Sequence, residues 1–292
     1  MTEAEANYIV DVKGREILST DDHVVAISVV KDEDEFRLKF TLLNQAGNEY
    51  IEGNIDSFLD SGREPMIPGL KDTILANLVP AKDTKGFHFF NNKPKELCES
   101  RSHFTMGPIW RPNENSTDWH LLVCHHSTRS LKDRFYFAWN SKNKFGVQAN
   151  LLREIKFDAN YDLAVAKIDM EININWLSKV NIFVPESMRN IEQIGCASKK
   201  LNRSGIIAST NSIAKIQGPK KTDSNIHSHL IEIEGVAGPD DSGAPVVFNN
   251  DQLMGMVLGG STYSNQYFCN NFHKIKLIYP EIINFDQFYL AL

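Results

Sequence analysis

Ser242 stands in the run Gly238-Pro239-Asp240-Asp241-Ser242-Gly243-Ala244-Pro245-Val246-Val247, a turn-forming stretch that leads straight into an apolar strand. Gly and Pro punctuate tight turns. A serine on such a turn can aim its hydroxyl and its backbone N–H at one spot, which is what an acyl-transfer nucleophile requires. Its hydroxyl is a weak nucleophile until a base takes the proton. Two histidines suited to that role follow an apolar strand in Trp119-His120-Leu121-Leu122-Val123-Cys124-His125-His126-Ser127. A histidine at a strand end is rigidly held yet faces a cleft, and an unperturbed imidazole titrates near pH 6.5. An acid to orient that base is offered by Asp162, which opens the apolar run Leu163-Ala164-Val165-Ala166-Lys167-Ile168; Asp158 and Asp169 are rival acids in the same window. Each motif alone is commonplace: a turn before a strand, a histidine pair, an aspartate closing a turn. In the order His, Asp, Ser, each beside its own apolar strand, they form a joint signal for nucleophilic hydrolysis.

The elements that must position these residues read as short strands. From about residue 104 onward, strands are expected at Trp119–Cys124, Arg134–Trp139, Phe145–Phe157, Leu163–Ile168, Ile191–Ile194, Gly205–Ser209, Ser212–Ile216, His229–Glu234, Ala244–Phe248 and Leu253–Leu258. Many short strands at this spacing argue for an all-β barrel or sandwich. The tail from Lys274 to Leu292 is expected to end in a short helix. Residues 1–103 read as a separate N-terminal α/β region, either a prosegment or a recognition domain. It carries β-branched and alternating strands at Val24–Val30 and Glu35–Leu43, a short helix over residues 69–79 ended by Pro80, and a connector over 81–103. Its lone histidines, His23 and His88, read as structural.

The chain has 292 residues, 42% of them hydrophobic, enough for a sizeable core. A net charge of −6 gives no electrostatic reason to expect nucleic acid or an anionic membrane as partner. No apolar run is long enough to span a bilayer, and the acidic start has no apolar h-region of a secretion signal. Cys98, Cys124, Cys196 and Cys269 show no Cys-x-x-Cys spacing, so reduced thiols in a cytoplasmic protein are expected rather than a zinc site. Delivery into another cell without a cleavable signal is the other location compatible with these features. Oligomeric state has no signature in the sequence.

These segments resemble the chymotrypsin-like serine peptidases, and the HtrA-type and other disulfide-poor members more than digestive trypsins. Leu121-Leu122-Val123-Cys124-His125-His126 is similar to the family's "ILTxxH" strand and base, and Asp162-Leu163-Ala164-Val165-Ala166-Lys167-Ile168 to its "DLAVLKI" run. Ile194-Gly195 with Ser204-Gly205-Ile206-Ile207-Ala208-Ser209 resembles "IG…SGIVSA", and Asp241-Ser242-Gly243-Ala244-Pro245-Val246-Val247 with Gly255-Met256-Val257 resembles "(D/N)SGGPLV…GI". The resemblance covers about residues 104–275, and 104–292 is taken as the peptidase domain. It implies a mainly β fold of two six-stranded antiparallel barrels, preceded by the N-terminal region, with the site in the crevice between them. The implied activity is that of a serine endopeptidase acting on protein or peptide substrates without metal or organic cofactor. The resemblance also implies that His126 and Asp162 come from the first barrel and Ser242 from the second. His126 is preferred to His125 because it keeps Leu121 and Leu122 in register with the family's two apolar strand residues.

The resemblance places the oxyanion hole at the backbone N–H groups of Ser242 and Asp240. The family's usual glycine is replaced by Asp240, whose acidic side chain is unwelcome beside a developing oxyanion. A catalytically impaired binding or scaffold protein on the same fold is therefore the alternative. No Ile-Val-Gly-Gly activation site precedes residue 104, so Asp241 is expected to find a partner other than a freed terminus or to face solvent. Counting back from Ser242 puts Val236, Ala237 and Gly238 on one wall of the primary specificity pocket. Leu258, Gly259 and Gly260 form the opposite edge, where substrate backbone would add as a strand. No acid lies at the pocket base in this count, which favours an apolar or small residue there, unless a bulge brings in Glu232 or Glu234.

Overall fold

The computed structural model describes residues 1–32, 34–43, 74–78, 87–89, 105, 107–111, 113–128, 134–137, 147–151, 161–169, 172–186, 190–191, 193–194, 205–217, 224–235, 237–238, 241–249, 251–261, 264–278, 280 and 287–291. Two short helices open the chain, α1 (Glu3–Tyr8) and α2 (Gly14–Thr20), joined by one π-helical turn over Ile9–Lys13. Thr2 and Glu5 form a reciprocal capping box at the start of α1, each closing on the other's backbone N–H. Ala6, Val10 and Leu18, at multiples of four residues, supply the buried stripe. That stripe lies against β1 (Val24–Asp32), β2 (Glu35–Leu42) and Ile213.

Both expected strands are present, and β1 and β2 pair as an antiparallel hairpin. The helix expected over 69–79 is instead a strand where it is described, β3 (Ile74–Leu78), which runs parallel to β2. The open edge of β2 satisfies its backbone groups, so a tertiary partner overrides local preference. Within the expected connector lies β4 (Phe87–Phe89); the rest of 81–103 is outside the described residues.

The following strands are β5 (Ile109–Trp110), β6 (Trp119–Cys124), β7 (Arg134–Phe137), β8 (Val147–Leu151), β9 (Leu163–Ile168) and β10 (Leu177–Ile182). β6 is followed at once by a single helical turn, α3 (His125–Thr128). Then come β11 (Asn190–Ile191), β12 (Gln193–Ile194), β13 (Gly205–Gln217), β14 (Ser224–Gly235), β15 (Pro245–Phe248), β16 (Gln252–Ser261) and β17 (Gln266–Asn270). α4 (Phe272–Ile278) precedes the last strand, β18 (Gln287–Ala291). The tail therefore closes on a strand, not a helix, because β10 offers five antiparallel partners from Leu177 to Asn181. The two strands expected at 205–209 and 212–216 are one long strand, β13, interrupted by register shifts against β14.

β7, β8, β9, β6, β5, β18 and β10 pair antiparallel in succession, over a core that includes Trp110, Leu122, Leu163, Val165, Phe272 and Phe288. β12, β15, β16, β17, β14, β13 and β11 make a second antiparallel succession over Ile207, Ile231, Ile233, Val246, Met254 and Val257. The fold is mainly β. The strands join one hydrogen-bonded network, with β10 meeting β16 in parallel between the two successions. Strands on either side of residue 103 also pair: β1 runs antiparallel to β13, and β4 lies between β13 and β16.

Candidate active site

β6 and β9 are paired in unbroken antiparallel register from Trp119↔Ile168 to Cys124↔Leu163. The residue after one strand therefore meets the residue before the other, although 36 positions separate His126 from Asp162 in the chain. The His125 N–H continues the ladder by donating to the Asp162 carbonyl at 2.9 Å. α3 then turns the chain so that the His126 N–H donates to Asp162 Oδ1 at 2.7 Å while its ring Nδ1 bonds to Asp162 Oδ2. Asp162 adopts a left-handed φ of 50°, uncommon for a non-glycine residue and the kind of backbone strain that collects at functional sites.

The third side chain arrives from the other succession. Ser242 Oγ lies 2.7 Å from His126 Nε2. Its turn is pinned from several sides: Thr105 N–H donates to the Ser242 carbonyl at 2.8 Å, Gly243 N–H to the Val257 carbonyl at 2.8 Å, and Val257 N–H to the Ala244 carbonyl at 2.9 Å. Gly243 sits at φ +90°, and a Cβ there would lie 2.3 Å from the Thr105 carbonyl oxygen, so the position requires glycine. Asp241, fully buried, accepts the Gly238 N–H at 2.8 Å through Oδ2. This contact closes the loop from within and gives Asp241 a partner other than a freed chain terminus.

His126, Asp162 and Ser242 thus meet, and His126 rather than His125 stands between the other two. All three are buried. Burial pushes the Asp162 carboxyl up, but the charge and hydrogen bonds of His126, helped by His227, outweigh it and leave it below the usual range. An ionised acceptor at Oδ2 places the ring proton on Nδ1 and leaves Nε2 free to accept from Ser242.

Three further groups meet the site, and two of them, Cys124 and His227, have no expected role there from the sequence. The Leu258 carbonyl, 2.8 Å from Ser242 Oγ, is a second acceptor for the one hydroxyl proton and sets the start of the predicted substrate edge beside the nucleophile. Cys124 lies below the site and donates through Sγ to the Val257 carbonyl at 3.4 Å. Burial, with the nearby charge of Asp162, pushes its thiol well up, so it stays neutral and is no rival nucleophile. His227, fully buried on β14, lies near enough to Asp162 that a charge on its ring would favour the carboxylate. β14 is remote in sequence from both ends of the β6–β9 pair, so no local pattern reveals it.

Of the other expected site residues, Asp240 and Val236 lie outside the described residues. Ala237 and Gly238 are buried beside the turn, and Leu258, Gly259 and Gly260 are buried on β16. Glu234 is exposed, while Glu232 is committed elsewhere: its carboxylate accepts from Ser28 and Lys39 and, at 2.8 Å, from Gln266 Nε2. Cys124, His126 and Asp162 each offer a metal-ligand atom within 4.8 Å of the others. They are the residues already bonded within the site, so an ion there would have to replace those bonds. No described helix is long and apolar enough to cross a membrane.

No protein-family model matches the chain, and no curated protein matches it. Solved structures overlay it in part. The MamO protease domain from Magnetospirillum magneticum (apo form) is 16% identical, with a TM-score of 0.41 over 55% of this chain and 82% of that one. The inactive form of the Rv3671c protease is 13% identical, with a TM-score of 0.42 over 62% and 82%. The HtrA-type protease AlgW with a decapeptide is 20% identical, with a TM-score of 0.41 over 56% and 48%. All three are proteases, the class that the motifs resemble.

Proposed function

We propose that the chain is a serine endopeptidase that hydrolyses peptide bonds in protein or peptide substrates through an acyl-enzyme. The observation that carries this reading is the continuous line from Ser242 Oγ through both ring nitrogens of His126 to the Asp162 carboxylate. Ser242 Oγ attacks the scissile carbonyl as His126 Nε2 takes its proton. His126 then passes that proton to the leaving amine, and a water repeats the cycle to release the acid. Asp162 holds the imidazole tautomer and stabilises the imidazolium, without itself being protonated. The N–H groups of Ser242 and Asp240 receive the oxyanion. We read the two strand successions as the counterparts of the two barrels of the chymotrypsin-like fold, with seven described strands each in place of the six expected and joined in one network, and residues 104–292 as the peptidase domain.

A fluorophosphonate probe tests this directly, since it needs only an activated serine. Covalent labelling of the full chain at Ser242, absent in Ser242→Ala and Asp162→Ala, is expected. A folded chain that takes no label would overturn the reading.

A second reading has its own support. The Ser242 hydroxyl has one proton and two acceptors, His126 Nε2 and the Leu258 carbonyl. A hydroxyl held on Leu258, together with the acidic Asp240, describes a catalytically impaired binding or scaffold protein. Peptide capture that is undiminished in Ser242→Ala, with no labelling of wild type, would favour it.

A further inference from the structure

The predicted substrate edge is not open. Between Val257 and Ser261, β16 gives one edge to β17, pairing Val257↔Cys269, Gly259↔Phe268 and Gly260↔Tyr267. Its other edge carries β4, antiparallel, with Gly259↔Phe89 and Gly260↔His88. β4 is held on its far side by the end of β13, in parallel, with Ile216↔Phe87 and Gln217↔His88. The Phe87 ring is fully buried and meets Phe268 edge-on at 4.8 Å, within a cluster that includes Val25, Leu230 and Leu258.

This strand lies on the expected substrate edge and runs in the direction that the acyl side of an extended substrate, whose chain must lead toward the serine, would take along it. Leu258 is tied to the nucleophile by the bond from Ser242 Oγ. Going from His88 to Phe89, the chain moves from Gly260 to Gly259, that is, toward Leu258 and the serine. A peptide adding to a sheet edge draws its affinity from that edge's backbone N–H and C=O groups. Each such group takes part in one ladder at a time, so β4 and a substrate strand exclude each other at Gly259 and Gly260.

We propose that residues 87–89 are an intramolecular, substrate-like strand that occupies the peptide-binding edge, so that an extended substrate binds there only when β4 leaves. This rests on the endopeptidase reading and assigns part of the N-terminal region a role as inhibitor of the site. The buried Phe87 anchors the strand, and the edge accepts extended peptide of the same backbone direction. Where only a fraction of molecules has β4 displaced, apparent affinity for a peptide falls by that fraction.

Two serine-directed probes separate the possibilities in the full chain. A small alkyl fluorophosphonate reaches Ser242 without using the edge. A tripeptidyl phosphonate with valine next to phosphorus must pair with it. In His88→Pro/Phe89→Pro, proline removes the N–H donors of β4 and loosens its ladders. The small probe is expected to label wild type and variant at similar rates, and the tripeptidyl probe to label the variant at least about tenfold faster, as release of a strand displaced in a tenth of molecules or fewer would give. Equal rates with the tripeptidyl probe would overturn the proposal. No labelling by the small probe would overturn the endopeptidase reading and this inference with it. Should the variant not fold, amide exchange in wild type decides. When slow tripeptidyl labelling has gone to completion, protection at residues 87–89 should be lost, and unchanged protection would refute displacement.

Discussion

Asp162 holds His126 at two points: Oδ1 accepts the backbone N–H at 2.7 Å and Oδ2 bonds the ring at Nδ1. The first contact fixes where α3 leaves β6, and the second fixes how the ring is turned. A single carboxylate therefore sets both the position and the tautomer of the base.

Asp162→Asn separates those functions. The amide oxygen can keep the backbone bond, but an NH2 facing Nδ1 forces the proton onto Nε2, where it can no longer accept from Ser242. A loss of about 10⁴-fold in kcat is expected with the fold retained, as removal of the acid's charge gives in such triads. Steady-state hydrolysis of a peptide substrate, beside circular dichroism, measures it. A loss of less than tenfold would mean that Asp162 does not set the tautomer.

The depressed pKa of Asp162 also predicts an acid limb of stability. The carboxyl titrates lower in the folded chain than its unfolded value of about 3.9. Its contribution is then fully present above that value and is lost as pH falls through the folded one. The gap in urea midpoint between wild type and Asp162→Asn should shrink as pH falls below about 4. A gap that widens on acidification would contradict the sign of the shift.

His125 and His126 should behave differently despite being neighbours. His126→Ala removes the base and should reduce kcat/KM by at least about 10³-fold, on the scale of losses that triad members show. His125 contributes its backbone N–H to the Asp162 carbonyl, a bond that survives side-chain truncation. His125→Ala is expected to keep kcat/KM within about tenfold of wild type, since it removes no group that takes or holds the serine proton. Reversal of this order would transfer the base to His125.

The site was legible in the sequence because each of its three side chains abuts an apolar strand whose ends are marked. Trp119–Cys124 and Leu163–Ile168 have the expected bounds. Their pairing follows once both are taken as antiparallel neighbours. What the sequence hides is non-local. β17 was not expected, since Gln266-Tyr267-Phe268-Cys269-Asn270 is buried at every position and shows no alternation. β3 and β4 exist as strands because of partners on β2, β13 and β16, and neither the stretch read as a helix nor the one read as a connector carries a mark of such partners. The first twenty residues hid their helices for another reason: their apolar stripe is narrow, and small Ala6 is one of its members.

Gly243→Ala should damage both stability and activity. Its φ of +90° costs a residue with a Cβ about 1–3 kcal/mol in backbone strain, and the added carbon would press on the Thr105 carbonyl. Relief of that contact moves the turn that carries Ser242. A fall of at least about 2 kcal/mol in unfolding free energy is expected from the two effects together. Fluorophosphonate labelling should slow in the fraction that remains folded. Denaturant titration and labelling on the same preparation check both, and a variant with wild-type stability would show that the turn accommodates a side chain.

The ion pair between the partly buried Lys39 on β2 and the buried Glu232 on β14 ties the N-terminal hairpin to the second strand succession. Glu232 is fully buried and also accepts from Ser28 and Gln266. Removing only the cation leaves a buried carboxylate without its counter-charge, a change that typically costs about 3–5 kcal/mol. Lys39→Met should therefore destabilise the chain by about that much. Adding Glu232→Gln removes the uncompensated charge and keeps hydrogen-bonding capacity toward Ser28, so the double variant should recover part of the loss. Strict additivity of the two single changes in a double-mutant cycle would mean that the pair does not couple, and the hairpin would then depend on the apolar contacts of β1 and β13 alone.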